Sequence, residues 1–366
     1  MKSSLKFISI VFVIMLSTGL FAHVQIIPPL VTVAKRDAWV SILMAILPLL
    51  IISFLLSNMS KILNKLSLVE FLKNSSTSVV YYISLLPLAL YLYVSAWITT
   101  KDIVIWSKIS YMQDIPVFVI GFFLVFLCFW GSESGLRAII AAGCILLPFV
   151  TFLGFFVMLG NIKNKNYELL LPILENGYGP ITHGVLYSSM PILELIILLF
   201  FLPQLKKPLT KKKVFLVGCI ILGLMVGPTV GAIVEFGPHQ VSHFRYPAFE
   251  QWRILTIGKY FSHADFLAIF QWLAGGFIRI SLYVLIAVQI LGKGKKSLGL
   301  MIGMYLVMYA GVILPMDLST LYSFVNELFL PFSLCALVVY LPFLYFILWK
   351  KGKKRIRGGM SSGSSS

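Results

Sequence analysis

Two stretches decide how this chain is read: FISIVFVIMLSTGLFAHVQIIPPLVTV at 7–33 and THGVLYSSMPILELIILLFFLP at 182–203. Each is long and apolar enough to cross a bilayer, for which about 20 residues suffice. Each is also interrupted: by Ser17, Thr18, Gly19, Pro28 and Pro29 in the first, and by Tyr187, Ser188, Ser189 and Pro191 in the second. In hydrocarbon the backbone must satisfy its own N–H and C=O groups, so an interrupted helix survives only where protein or a wet cavity supplies partners. One interrupted span opening each half of a polytopic chain points to an inverted-repeat carrier fold with a ligand site near the midplane. The expectation is an all-α integral membrane protein with broken first and sixth helices.

Composition agrees. Hydrophobic residues make up 59% of the chain against 12% charged, and mean hydropathy is +0.95. Ten apolar runs are expected to span, at about 7–33, 38–57, 76–100, 116–132, 136–160, 182–203, 214–234, 265–291, 297–315 and 325–349. They group as a 5+5 repeat within a single transmembrane carrier-like domain, 1–349. Repeat one covers about 7–160 and repeat two about 182–349. A polar connector at 161–181 joins them. Residues 350–366 form a basic, then Gly/Ser-rich tail, of which Gly358 to Ser366 is expected to be disordered. Residues 1–22 imitate a secretory signal, but the apolar character runs on to Val33, so a retained span is the expectation.

The formal charge of +17 is topology, not a nucleic-acid footprint. With loops assigned to alternate sides, two-thirds of the 30 Lys and Arg residues fall on the side of the termini. That asymmetry places both termini in the cytoplasm and requires an even span count. Cys128, Cys144, Cys219 and Cys335 each lie in a different apolar run, with no CxxC pair, so neither disulfides nor zinc are implied. His239 and His243 have helical metal-pair spacing, but position 240 is Gln and no third ligand is evident. No nucleophile elbow or phosphate loop occurs. No catalytic residue, metal site or cofactor is expected. Residues 244–261 read as a short amphipathic helix in the outer headgroup layer, able to serve as a lid.

Ionisable residues within spans are costly and are site candidates by default. Arg279 sits near the centre of its run, too deep to snorkel, and needs an acceptor in the bundle interior. Glu194, three residues after Pro191, is the expected partner; Glu235 and Glu327 are shallower alternatives. Such a pair either binds ligand or only fixes helix packing. Half-helix ends offer N–H groups to a carboxylate and carbonyls to an ammonium. Thr18, Gly19, His23 and Gln25 on the first span and Tyr187, Ser188 and Ser189 on the sixth are expected to line such a pocket. Tyr91 and Ser95 on the third span and Trp272 and Gly276 on the eighth would close it. The pocket suits a small zwitterion such as an amino acid.

Four segments also carry a family resemblance: KRDAWVSIL (35–43), YELLLPILENGYGPITHG (167–184), MPILELIILLFFLP (190–203) and FGPHQVSHFRYPAFEQWRILTIGKYFSHADFLAIFQWLAGGFIRISLYV (236–284). Over about residues 5–349 the chain resembles the B subunit of GerA-type spore germinant receptors, within the amino acid/polyamine/organocation carrier superfamily. The resemblance implies a LeuT-like ten-helix fold and a nutrient sensor in the inner membrane of the bacterial endospore. It implies a small-molecule germinant and two partners, a polytopic A subunit and a lipoprotein C subunit. By the same resemblance Glu194 matches the acidic residue after the proline of the sixth span, and Arg279 a basic position in the eighth. One departure stands out. Many carriers of the superfamily have a Gly-x-Gly pair in the first span, and here Phe21 and His23 fall near those positions, which would shrink the pocket, change the nutrient or leave the subunit without a ligand. The alternative function is a secondary transporter of amino acids or amines, which the same fold would serve.

Overall fold

The computed structural model describes residues 5–256, 264–294 and 297–361, with the backbone alone for 354–361. Among the described residues every regular element is helical, as expected where hydrocarbon demands that each segment satisfy its own backbone.

The first span is α1 (Phe7–Leu20), a π-helical segment Phe21–Gln25, and α2 (Ile27–Ala34). The chain runs straight through Ser17, Thr18 and Gly19, so the expected unwinding there does not occur. The irregularity lies further on and has a clear cause. Pro28 and Pro29 have no N–H for the carbonyls of Val24 and Gln25, and the register widens ahead of them. Ile26 N–H donates to Phe21 O, five residues back, at 3.1 Å.

A 3₁₀ turn at Lys35–Asp37 leads into α3 (Ala38–Met44) and α4 (Ile46–Leu63). α5 (Leu68–Ser75) is closed by a capping box between Ser67 and Glu70. Then come α6 (Ser78–Ser110), α7 (Val117–Ser134) and α8 (Leu136–Gly160). α6 runs ten residues beyond the expected end at 100. That carries Lys101 and Asp102 into buried positions. Lys101 is buried because it is a cap: its Nζ donates to the carbonyls of Val312 and Leu314, both at 2.6 Å, which a helix C-terminus leaves free.

The sixth span is α9 (Tyr178–Leu193) followed by a 3₁₀ segment, Glu194–Gln204. Here too the helix persists through Tyr187, Ser188 and Ser189, and the register changes only after Pro191. Eleven residues of 3₁₀ helix are far more than the usual three or four. α10 (Lys211–Phe236), α11 (Pro238–Val241), α12 (Pro247–Arg253), α13 (Phe266–Leu291), α14 (Leu298–Ile313), α15 (Leu318–Ser323), a π segment Phe324–Phe329 and α16 (Leu330–Ser361) complete the chain.

Nine helical stretches among the described residues are long and apolar enough to cross a membrane. The boundary between the first two runs moves, to Phe7–Gln25 and Ile27–Leu63, and nine stretches stand where ten runs were expected because α14, with 16 residues, is shorter than the others. At 1.5 Å per residue it reaches about 24 Å. The most enclosed spans are Tyr178–Gln204 and Phe266–Leu291. α13 lies at the centre, packed against α6, α1, α7 and α8. A polar cluster ties it to its neighbours: Ser132 Oγ donates to Ser281 O at 2.8 Å, and Ser281 Oγ to Cys128 O at 3.0 Å. Interhelical hydrogen bonds of this kind act as glue where no hydrophobic driving force separates helix from lipid.

Two surface expectations are refined. The helical part of the expected 244–261 segment is α12, which docks on the protein through buried Gln251 and Trp252, and residues 257–261 of that segment lie outside the described residues. The tail is helical as far as Ser361, and 362–366 lie outside the described residues.

Candidate functional site

α13 carries Arg279 into the centre of the bundle, fully buried. It faces the first residue of the 3₁₀ segment, Glu194, in a bidentate pair: Nη2 to Oε1 at 2.6 Å and Nη1 to Oε2 at 2.8 Å. Planar guanidinium and carboxylate suit this geometry, which a lysine lacks. The remaining donors are also satisfied. Nη2 donates to Ser95 Oγ at 2.6 Å, Nη1 to Tyr283 Oη at 2.8 Å and to Ser17 O at 3.2 Å, and Nε to Thr99 Oγ1 at 3.3 Å. Tyr91 and Tyr283 hydroxyls donate to Glu194 at 2.5 and 2.7 Å. Five elements therefore meet at one ion pair: α1 through Ser17 O, α6 through Tyr91, Ser95 and Thr99, α9's continuation through Glu194, and α13 through Arg279 and Tyr283, with Phe21 of the π segment lying over the guanidinium at 4.7 Å.

Phe21 resolves the departure noted above. Its ring fills space over Arg279 as a cation–π partner, and the Tyr283 ring lies 4.4 Å from the same guanidinium. Phe21→Ala should lower stability by about 3–5 kcal/mol, the range for a buried aromatic cut to alanine, seen as a lower unfolding midpoint of the purified protein. An unchanged midpoint would mean that the ring is not packed on the cation.

The expected site residues separate into three sets. Tyr91, Ser95, Glu194 and Arg279 share the network just described. Gly19, His23 and Trp272 line a cavity of about 400 Å³ beside it, with His23 Nδ1 3.3 Å from Leu224 O. Thr18 lies at the edge of the network, against Tyr283, while Gln25, Tyr187, Ser188, Ser189 and Gly276 belong to neither. Ser189 Oγ donates back to Val185 O at 2.6 Å. Gly276 is a helix-contact residue, since a Cβ there would run into Ile103. The hydroxyls of Ser17 and Ser188, both fully buried, have no protein partner among the described residues. Glu235 and Glu327 are not partners of Arg279; Glu235 lies 3.9 Å from Lys165.

Residues missed from the sequence extend the site. Tyr283 lies one helical turn beyond Arg279, and Thr99 one turn beyond Ser95, spacings that place each on its predecessor's face. One further turn along α6, buried Asp102 accepts from Arg245 Nη2 at 2.9 Å and from Tyr246 Oη at 2.8 Å. Arg245 and Tyr246 precede α12, so this second contact ties the α12 region to α6. Burial works against the charge on Arg245, but Asp102, then Tyr246 and Tyr322, outweigh it and hold the guanidinium above its ordinary range. Burial, and then the Asp102 carboxylate, push the Tyr246 phenol well above its usual value, so it remains a donor. The His239 and His243 rings lie with centroids 4.9 Å apart, tilted by 47°, and among the described residues no three His, Cys, Asp or Glu side chains gather to hold a metal.

The family model for "Spore germination protein" matches residues 3–347. The chain belongs to the spore germination protein family. It is 36% identical to spore germination protein XB of Bacillus anthracis over 353 residues, covering 96% of this chain and 99% of that protein. It is 22% identical to spore germination protein KB of Bacillus subtilis over 344 residues, covering 88% and 90% respectively. As a family member it is a membrane protein of the germinant-receptor and permease type.

Proposed function

We propose that this spore germination protein is the nutrient-sensing subunit of a germinant receptor, and that its ligand is an amino acid bound where the first and sixth spans lose their regular register. The supporting observation is the buried Arg279–Glu194 pair, which latches the two irregular spans to α6 and α13. An amino acid carries the same two charges. Its carboxylate can replace Glu194 on Arg279 and its ammonium can replace Arg279 on Glu194, with the Ser17 hydroxyl as a further partner. Splitting the latch frees the 3₁₀ segment, and the ligand's higher affinity for the split state sets how far the equilibrium moves. The shift passes to a polytopic A subunit and a lipoprotein C subunit. The reading includes a LeuT-like 5+5 arrangement, with the spore's inner membrane as location and both termini cytoplasmic.

The test is saturable binding of single labelled amino acids to the purified chain in a panel that includes sugars and nucleosides. An amino acid should bind, and folded Glu194→Gln protein should not bind it. Deleting the gene should abolish germination to that nutrient class alone. Binding of none of the panel defeats the reading, and saturable uptake by proteoliposomes of this chain alone would assign it to the transporters.

A further inference from the structure

The cavity beside the latch has a composition that does not suit a zwitterion. It lies among α1, α8, α10, α12 and α13, and most of its wall is aliphatic or aromatic, including Leu16, Leu20, Leu147, Phe249 and Trp272. Three polar side chains in that wall already have protein partners. Gln271 accepts from Trp252 and donates to Val150 O, Gln251 donates to Pro228 O, and Tyr246 donates to Asp102. What remains for a ligand is mainly apolar surface, with His23 and Thr151 as the polar exceptions. At about 400 Å³ the cavity falls within the roughly 300–1,000 Å³ of small-molecule sites.

Its opening is at membrane depth. On α8 the lining residues Thr151, Phe155 and Met158 are exposed, and on α10 so are Gly223 and Gly227, near the middle of that helix. A Cβ at either glycine would meet nothing within 4 Å. α8 and α10 flank the gap without packing closely on each other. The same side of α8 presents Phe149 and Phe152 at 60% and 67% exposure, an apolar surface suited to lipid. At the rim towards the connector stands Lys165, five residues past the end of α8, whose ammonium donates to Met158 O at 2.8 Å and faces the buried Glu235 carboxylate at the longer distance of 3.9 Å. A cation at headgroup depth above an apolar cavity with a lateral mouth is complementary to one molecule already present in the membrane.

We propose that this cavity is a lateral lipid site, taking one acyl chain of a phospholipid whose phosphate lies against Lys165. The chain enters between α8 and α10 and packs on Leu16, Gly19 and Leu20, so membrane lipid bears directly on the first, π-broken span. This site is separate from the amino-acid site proposed above and does not depend on it.

The experiment uses the full chain in phosphatidylglycerol nanodiscs containing some phosphatidylglycerol with a diazirine in its acyl chain, photolysed and mapped by peptide mass spectrometry. Adducts are expected on inward-facing Leu20 and Trp272 as well as on lipid-facing Phe149 and Phe152. In Gly223→Leu/Gly227→Leu the inward adducts should be lost while those on Phe149 and Phe152 persist, which also shows that the variant is folded. Gly303→Leu, an equally open glycine on α14, should label like the parent. Lys165→Gln should weaken inward labelling alone. Adducts confined to Phe149 and Phe152, or inward labelling indifferent to the filled mouth, overturn the proposal. So does protection of Thr151 and Phe155 by a cross-linked polypeptide, which would give this face to a protein partner.

Discussion

Arg279→Met is expected to be among the most damaging single substitutions in this protein, and Arg279→Lys distinctly less so. Methionine fills much of the same volume but leaves the Glu194 carboxylate buried without its cation, a loss of about 3–5 kcal/mol when one partner of a buried pair is removed. Lysine retains the charge. It gives up the bidentate geometry and the bonds to Ser95, Thr99 and Ser17 that the planar fork makes. Removing both charges should separate stability from sensing. The double variant Arg279→Met/Glu194→Leu should recover much of the unfolding midpoint lost in Arg279→Met, because no unpaired charge remains. It should still fail to respond to nutrient, because nothing remains for a zwitterion to split. The measurements are thermal unfolding of the purified proteins and germination of spores carrying each allele. Wild-type behaviour of both Arg279→Met and Arg279→Lys would remove this residue from the mechanism.

The pair was legible in the sequence because hydrocarbon leaves so few options. A guanidinium at the centre of an apolar run must have an acceptor, and Glu194 was the deepest available carboxylate. The form of the breaks was not legible. Proline and glycine show where a helix is weakened, but whether the chain unwinds or changes register depends on partners from other elements. Here the outcome is a π segment before Pro28 and a long 3₁₀ segment after Pro191. Distance along the chain hid the rest. Asp102 seemed to lie past the end of its span, and Arg245 and Tyr246 seemed to belong to a surface helix. Only the extra length of α6 and the docking of α12 bring the three together. Trp272 and Gly276, four residues apart, were assigned one role. Trp272 lines the cavity and Gly276 abuts Ile103, a separation that needs α6 in place before it can be seen.

Arg245→Ala is expected to loosen the α12 side of the molecule while the Arg279–Glu194 latch stays intact. The two ion pairs differ in quality. Arg279 holds both oxygens of Glu194, whereas Arg245 reaches only Oδ1 of Asp102, and Oδ2 and the Arg245 Nε have no protein partner. Without Arg245, Asp102 is a buried anion whose relief lies in hydration, and that favours any state in which α12 moves away from α6. The penalty of about 3–5 kcal/mol for an unpaired buried charge exceeds the 1.4 kcal/mol that corresponds to about a tenfold change in population. A thiol introduced by Ile103→Cys, next to Asp102 and 1% exposed at the parent isoleucine, reports on that opening. With the four native cysteines replaced, its reaction with a membrane-impermeant maleimide should speed up about tenfold or more in Arg245→Ala. Arg253→Ala, which removes only a surface pair with Glu250, should leave the rate unchanged because exposed pairs contribute little. Equal rates in all three backgrounds would show that the Asp102–Arg245 contact is not a closure, and that access to the latch is controlled elsewhere. A faster reaction accompanied by germination at lower nutrient concentration would place this contact among the energies a germinant must overcome.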